Sequence, residues 1–302
     1  AMETERCTLA ASTVHRWLDQ AGKVAQESVK GQLKGIPSSG TVGVDGLWAR
    51  LRGGAKAVVL LVVDSVHGVV WPPVVVGGEE GQAPWQKLFD RAGEAGLAVD
   101  ELRGVTSDRT RGLVAYLRHT LGWVQHQCCV WHVWRNLRRE LSRAVAQAVE
   151  GLGQEAAKQA GRVVRSELVG LVRGVIDAPS YEAAEETLVK LREHPQGGRI
   201  EHILNLQLDH ILAHLVSYYG GMQRVSPEWC WRDFRLRLSR GRNHGSDQRL
   251  ERAALLWAVY HNFTPTQRRS ERKRRYRHPG QSPLDVAGAS PGQVSYLDAL
   301  RV

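Results

Sequence analysis

The sequence predicts a mixed α/β fold joined to a helical block, and three observations support this prediction. Three Val-rich apolar segments follow one another with short turns between them, at residues 41–51, 56–64 and 68–76. Helical and strand-like segments then alternate from 82 to 130, and the pattern from 131 to 220 is helical. An antiparallel meander followed by alternating helices and strands predicts a mixed sheet with helices on its faces.

Each element has its own local signal. The third Val-rich segment contains Pro72 and Pro73, which predicts a strand that is bulged or lies at a sheet edge. A helix, a strand, a helix and a strand then follow, expected at residues 82–95, 101–108, 110–122 and 123–130. Breaks near residues 151–153, 177–179 and 195–198 divide the helical block into four or five helices.

The same pattern divides the chain into parts. Residues 8–22 have the form of the second half of a helix-turn-helix, with Gly22 as the expected helix cap. We therefore expect residues 1–33 to be the remnant of an N-terminal DNA-binding region. The remaining expected parts are a sheet region, an all-helical block, and a last part with a basic C-terminal region, at residues 34–135, 136–222 and 223–302.

Composition limits the classes of protein to consider. The chain has 302 residues, of which 42% are hydrophobic, and no apolar run is long enough to span a membrane. The first residues lack the basic and apolar regions of a signal peptide, and the four cysteines do not form a disulfide pattern. We expect a reducing compartment, the cytoplasm.

The net charge of +10 is concentrated in one part of the chain. Residues 223–278 contain fifteen Lys or Arg and five Asp or Glu, and 268–278 is the densest stretch. Basic charge confined to one segment is typical of a surface that binds a polyanion. A solubilising or disordered tail is the alternative.

Two acids stand out from the predicted sheet. Asp45 lies within the apolar first strand, and Asp108 ends the fourth. A carboxylate in an apolar strand is costly unless it is paired, hydrogen-bonded or bound to a cation. Two carboxylates that converge at strand ends would form an oxygen site suited to Mg²⁺. Strand-end aspartates are also common turn formers, and this alternative stays open.

Four short motifs follow one another around Asp108, with a helix and a strand between them: Ser107-Asp108, Gly112-Leu113, Gln127-x-Cys129-x-x-His132 and Arg135-Asn136-Leu137. This stretch resembles the Mutator-like transposases of bacterial insertion sequences and plant Mutator elements, whose pattern has the same motifs in the same order. The chain departs from the family pattern at Arg109, where the family more often has Gly or another small residue.

The resemblance implies an RNase H-like mixed five-stranded sheet flanked by helices, with an all-helical insertion domain before the third catalytic acid. It implies a DDE transposase in which Asp45 is the first acid, Asp108 the second and Glu228 the third. The match at Glu228 is weaker, because Pro227 and Trp229 replace small polar residues. Two alternatives are disfavoured: Glu251 for the third acid, since it is expected to pair with Arg249 or Arg252 at the surface, and Asp64 for the first, since it lies in a hairpin turn.

Cys129 and His132 have the spacing of metal ligands, but the sequence offers no further pair to complete a tetrahedral zinc site. A buried Cys and a hydrogen-bonded His that brace the strand are favoured, and no zinc is expected. Trp131 and Trp134 are assigned to core packing, with stacking on an unpaired base as the alternative.

The expected activity is metal-dependent DNA cleavage and strand transfer at the ends of a mobile element. Two Mg²⁺ ions are expected, with Mn²⁺ as a possible substitute. The expected partners are double-stranded DNA, as terminal inverted repeats and target, and a second copy of the chain on DNA. The resemblance implies a location in the bacterial cytoplasm, in association with the nucleoid. The residues expected to bind DNA phosphates are Arg235, Arg268, Arg269, Arg272, Lys273, Arg274, Arg275 and Arg277.

Two other functions remain to be distinguished. A transposase-derived DNA-binding protein without catalysis would bind the ends and leave them intact. A nuclease of the same fold acting on RNA–DNA hybrids would give no strand-transfer products, and the helical insertion and the basic segment argue against it.

Overall fold

A computed structural model describes most of the chain between residues 11 and 300. The described residues are 11–78, 80–216, 224, 227, 230–232, 234–235, 244–265, 280–289 and 300.

The strands form one five-stranded sheet with the order β3-β2-β1-β4-β5. β1 and β2 are antiparallel, as are β2 and β3, whereas β4 and β5 are parallel. The predicted mixed five-stranded sheet is therefore confirmed, while the RNase H-like assignment stays a prediction. The strands are β1 (Thr41–Arg50), β2 (Lys56–Asp64), β3 (Val74–Gly77), β4 (Gly104–Ser107) and β5 (Gln125–Cys128).

Helices account for most of the other described residues. Short 3-10 turns occur at Val99–Glu101 and Ala213–Leu215. The α-helices are α1 (Ala11–Gln32), α2 (Gln82–Glu94), α3 (Arg111–Thr120), α4 (Val130–Ala148), α5 (Gln154–Ile176), α6 (Tyr181–Glu193), α7 (Gly198–Asn205), α8 (Leu208–Ile211), α9 (Asp247–Phe263) and α10 (Pro283–Val286).

The chain divides into two compact units, and the first comprises residues 1–102, 110–122 and 227–302. Its sheet part is the antiparallel meander, in which Asp45 on β1 lies opposite Leu61 on β2. One apolar cluster joins β1 and β2 to helical residues near the C-terminal end of the chain. Its larger members are Leu47, Leu61, Trp231, Phe234 and Trp257.

The third strand is shorter than the sequence predicts. Val70 forms an isolated bridge to Val63, and regular pairing resumes only at Val74, after the Pro72-Pro73 pair. Proline has no N–H to donate to a ladder, so the pair interrupts the strand. β3 lies at the sheet edge, as predicted.

The helix α1 does not end at Gly22, so the predicted cap there is wrong. The helix continues to Gln32. A Cβ at Gly22 would lie 2.5 Å from Cβ of Arg252 and 2.9 Å from its carbonyl oxygen. Glycine is needed here because α1 and α9 approach closely, and the helix–helix contact is consolidated by an ion pair between Asp19 and Arg252.

The second unit comprises residues 103–109 and 123–226. It contains the parallel pair β4–β5 and the helices from α4 to α8, which meet in one apolar cluster. The three predicted breaks are confirmed, since α4, α5, α6 and α7 are separated at those positions. The proposed limits of the insertion domain, residues 136 and 222, stay predictions.

Candidate functional site

Asp45 is held on β1 by two hydrogen bonds to its carboxylate. The residue is 3% exposed and lies in an apolar strand. The backbone N–H of Gly46 donates to Oδ1 at 2.9 Å, and the indole N–H of Trp231 donates to Oδ2 at 2.8 Å. These bonds offset part of the cost of burying a carboxylate and fix its orientation.

The residues around Trp231 cover the face of β1 that carries Asp45. Gly43 shares this face, because alternate residues of a strand point the same way. A Cβ at Gly43 would lie 2.9 Å from Cδ of Pro227. The strand therefore needs glycine at this position, and the segment from Pro227 to Trp231 contacts the strand at both of its ends.

Asp64, the disfavoured candidate for the first acid, has a structural role. Its carboxylate accepts backbone N–H groups from Ser39 at 2.7 Å, Val66 at 2.9 Å and His67 at 2.8 Å. These bonds close the turn after β2 and tie it to the segment before β1. The assignment of Asp64 to a turn is thereby supported.

Asp108 follows β4 directly and is half-buried. Arg109, the next residue, has a φ of 62° and is the one non-glycine residue with positive φ that is found in the described part of the chain. Glycine adopts this left-handed conformation at little cost, whereas a side chain is strained there. The geometry gives a physical reason for the small residue that the family pattern favours after the acid.

Ser107 stabilises the turn at Asp108 and Arg109 through contacts of its hydroxyl group. Its Oγ accepts the backbone N–H of Arg109 at 2.9 Å and lies 2.6 Å from Nε2 of His126 on β5. Burial, with smaller contributions from the charges of Arg109 and His210, lowers the pKa of His126 to about 3. His126 is therefore neutral at physiological pH and acts as a hydrogen-bonding support for the turn that carries Asp108.

Gln127, Cys129 and Gly112, which also belong to the family pattern, have structural roles. Gln127 is fully buried, and its side chain donates to the carbonyl of Ile211 and accepts the N–H of His214, both at 2.9 Å. The backbone N–H of Cys129 donates to the carbonyl of Ser107 at 2.7 Å. A Cβ at Gly112 would lie 2.0 Å from the carbonyl oxygen of residue 80, so only glycine fits there.

Asp45 in the first unit, and Asp108 and His132 in the second, each offer one atom of a kind that can bind a metal ion. Asp45 and His132 are buried. Carboxylate oxygens suit Mg²⁺ and Mn²⁺, while an imidazole nitrogen is a ligand for Mn²⁺, iron and zinc. The sequence assigned His132 a bracing role, and its spacing from Cys129 indicated a metal-ligand type without showing which side chains lie around it.

Of the two candidates for the third acid, only Glu251 can be located. Glu228 lies outside the described residues. Glu251 forms an ion pair with Arg91 on α2, which also donates to the carbonyl of Pro73 at 2.9 Å. The expected pairing of Glu251 with Arg249 or Arg252 is wrong, because α2 packs beside the sheet within reach of α9. Glu251 thus serves to join two helices.

The residues expected to bind DNA are mostly not described. Arg235 is helical and exposed. The other seven, from Arg268 to Arg277, lie outside the described part of the chain, and their role stays a prediction.

The fold is that of a mixed α/β protein with one acid buried on a strand, Asp45, and another at the end of a strand, Asp108. Residues 73–154 match the model of a family described as Transposase, Mutator family. The matched segment contains Asp108 and the Gln-x-Cys-x-x-His run, so the resemblance predicted from these residues is confirmed. No curated protein gives a significant match to the chain.

The match suggests a transposase domain, and the proteins of that family are in general DNA-binding enzymes that cleave DNA. Transposases of that family typically use a divalent metal ion, and carboxylates such as those of Asp45 and Asp108 are ligands that suit such an ion. Among the helices that the structure describes, none is both long and apolar enough to cross a membrane.

Proposed function

We propose that the chain is a DDE transposase that cleaves DNA at the ends of a mobile element and transfers the freed strand to a target. The match of residues 73–154 to the Mutator family carries this proposal. The residues proposed to bind the metal ions are Asp45, Asp108 and Glu228.

The proposal for Glu228 rests on its neighbours in the chain. Pro227 packs against Gly43, and Trp231 donates a hydrogen bond to Asp45. Glu228 lies between these two residues in the sequence. Its rival Glu251 is engaged by Arg91. Both observations favour Glu228 as the third acid.

The reaction needs no covalent enzyme intermediate. A water oxygen attacks the phosphorus at the element end, the P–O3′ bond breaks, and a 3′-hydroxyl is released. That hydroxyl then attacks a target phosphodiester, and the P–O bond of the target breaks. Two divalent cations, Mg²⁺ or Mn²⁺, would supply activation of the attacking oxygen and stabilisation of the leaving one. Asp45 is already oriented by Gly46 and Trp231, and Ser107 with His126 supports the turn of Asp108.

DNA phosphates would be bound by Arg235 and by the basic residues from Arg268 to Arg277. This binding would weaken steeply with salt, because each contact releases counterions. Since two element ends must be joined to one target, we propose that two copies of the chain act together on DNA.

A plasmid assay tests the proposal. A supercoiled plasmid carrying the terminal repeats of the element is incubated with the protein and Mg²⁺ or Mn²⁺, and nicked, excised and strand-transfer products are resolved on gels. We expect Asp45→Asn and Glu228→Gln to abolish all products. Glu251→Gln and the exposed Glu185→Gln are the matched controls and should retain activity.

The outcomes separate the candidate functions. Binding of the repeats without nicking by the unaltered protein would favour the non-catalytic DNA-binding module. Loss of activity in Glu251→Gln with activity retained in Glu228→Gln would overturn the assignment of the third acid.

A further inference from the structure

A cavity between α4 and α5 joins aromatic and basic side chains on the surface of the second unit. Its volume is about 370 Å³, and its walls include Trp131, Trp134, Arg135, Arg138, Leu141 and Arg165. Five of these residues, all except Arg165, recur at helical spacing along one side of α4. We call this cavity the Trp131 pocket.

Trp131 is exposed where core packing was expected. The residue is 44% exposed, so the prediction that it packs in the core is wrong. The guanidinium carbon of Arg135 lies over the indole ring, 5.0 Å from its centre, which shows that this ring takes a planar cation on its face. The exposed part of the ring leaves room for another planar group to stack on it.

The basic side chains of the pocket are available for an anionic partner. Arg135, Arg138 and Arg165 are exposed, and none forms an ion pair with another described residue. The nearby acid Glu140 is already paired with Arg143 and Arg199. The pocket thus presents an aromatic face surrounded by uncompensated positive charge.

We propose that the Trp131 pocket binds an unpaired base of a DNA strand, with the base stacked on Trp131 and the flanking phosphates bound by Arg135, Arg138 and Arg165. The combination of a stacking ring and a basic groove is the way in which proteins bind single-stranded nucleic acid. The cavity is of a size that holds a small planar ligand, at the lower end of the ~300–1,000 Å³ typical of ligand pockets.

The pocket lies beside His132 of the same unit. The indole ring of Trp131 lies edge-on to the imidazole of His132, with ring centres 4.8 Å apart. A base held on Trp131 would lie next to this histidine. The choice of DNA as partner rests on the proposed function, and the stacking site rests on the pocket itself.

Fluorescence anisotropy in EDTA tests this inference without any need for catalysis. The probes are a short fluorescein-labelled DNA duplex with one extrahelical thymine and the same duplex without it. We expect Trp131→Ala to weaken binding of the bulged duplex by about 5- to 150-fold, the effect of losing one stacked base, and to leave the plain duplex unchanged. Trp131→Phe should retain most of the affinity, and Arg138→Ala should weaken both probes equally.

The matched control is Trp48→Ala, which removes a tryptophan of similar exposure (51%) from β1. Circular dichroism checks that each variant is folded, and Trp131→Phe keeps the test valid if the alanine variant is not. The inference is overturned if Trp131→Ala affects both duplexes equally or neither, if Trp48→Ala has the same effect, or if a bulged RNA of the same sequence binds more tightly than the DNA.

The anisotropy measurements test the Trp131 pocket whatever the plasmid assay shows. A selective loss of bulge binding in Trp131→Ala would support the pocket even if the protein proved to be a non-catalytic module. Cleavage and strand transfer by a protein whose bulge binding does not depend on Trp131 would overturn the pocket and leave the transposase proposal intact.

Discussion

Asp64 and Asp108 each stand at the end of a β-strand, and the turns that follow them are built differently. After Asp64, three backbone N–H groups donate to the carboxylate itself. After Asp108, the bond that closes the turn is accepted by the hydroxyl of Ser107. Asp64 begins a turn in which Gly68 takes up the left-handed conformation, with a φ of 76°, whereas Arg109 takes it up directly after Asp108.

The difference supports the proposal that Asp64 is a structural acid and Asp108 a functional one. The three backbone donors occupy the oxygens of Asp64, which leaves little capacity for a cation. In the second turn Ser107 and His126 form the structural hydrogen bonds, and the carboxylate of Asp108 is the proposed metal ligand. The identity of the turn acceptor, rather than the presence of an aspartate at a strand end, distinguishes the two sites.

The largest effect is expected for Asp108→Asn. If Asp108 binds a catalytic cation, its loss removes several kcal/mol of transition-state stabilisation, a decrease in rate of about 100-fold or more. The free energy of unfolding should change little, because Ser107 still closes the turn. Single-turnover plasmid cleavage together with urea unfolding measures both quantities. Cleavage at the unaltered rate would contradict the assignment.

Asp64→Asn should show the opposite pattern. An amide cannot accept all three backbone donors as a carboxylate does, and hydrogen bonds to a charged group contribute about 1.5–3 kcal/mol each. We expect the free energy of unfolding to fall by about 2 kcal/mol or more, while the folded fraction cleaves DNA at the normal rate. Comparable urea midpoints for Asp64→Asn and the unaltered protein would show that the turn does not depend on this carboxylate.

The pH dependence of the free energy of unfolding tests whether a neutral His126 supports the turn that carries Asp108. Burial lowers the pKa of His126 from its ordinary value of 6.5 to about 3. Between these values the unfolded chain binds a proton that the folded chain does not, so stability is lost as the pH falls from about 6.5 towards 3. Each such histidine contributes at most about 1.4 kcal/mol per pH unit.

Urea unfolding between pH 7 and 4 measures this slope, and His126→Gln should reduce it. His210 and His214, whose pKa values burial also lowers, will retain part of the dependence in this variant. The same slope in both proteins would show that His126 is not the group that titrates.

Local sequence patterns predicted most of the elements, for reasons that the structure explains. The Val-rich meander and the breaks in the helical region depend on strand propensity and on Gly and Pro, which act within a few residues. The extent of α1 was missed because Gly22 has the local signature of a cap, and only the approach of Arg252 from a distant helix gives the glycine another purpose.

The residues of the candidate site could likewise be predicted only where the signal lies within a few neighbouring residues. Asp45 and Asp108 were found because an acid in an apolar strand and a Ser-Asp motif are visible in the sequence. The indole donor Trp231 and the ion pair of Glu251 with Arg91 depend on contacts over more than 150 positions, which no local pattern carries. His132 was assigned a bracing role because its spacing alone does not show which side chains lie around it.

The smallest changes in the free energy of unfolding are expected for substitutions at Arg109 and Gly68, the residues with a left-handed backbone in the two turns. Arg109→Gly removes a strain of about 1–2 kcal/mol from the folded state, but glycine adds about 0.5–1 kcal/mol of unfolded-chain entropy. The net change in the free energy of unfolding should stay below about 1 kcal/mol. Gly68→Ala introduces strain that the lower unfolded-chain entropy of alanine offsets only in part, and it should destabilise the protein by about 1 kcal/mol. Urea unfolding of both variants measures the difference, and a loss of more than 2 kcal/mol in Arg109→Gly would mean that the side chain of Arg109 itself holds the turn.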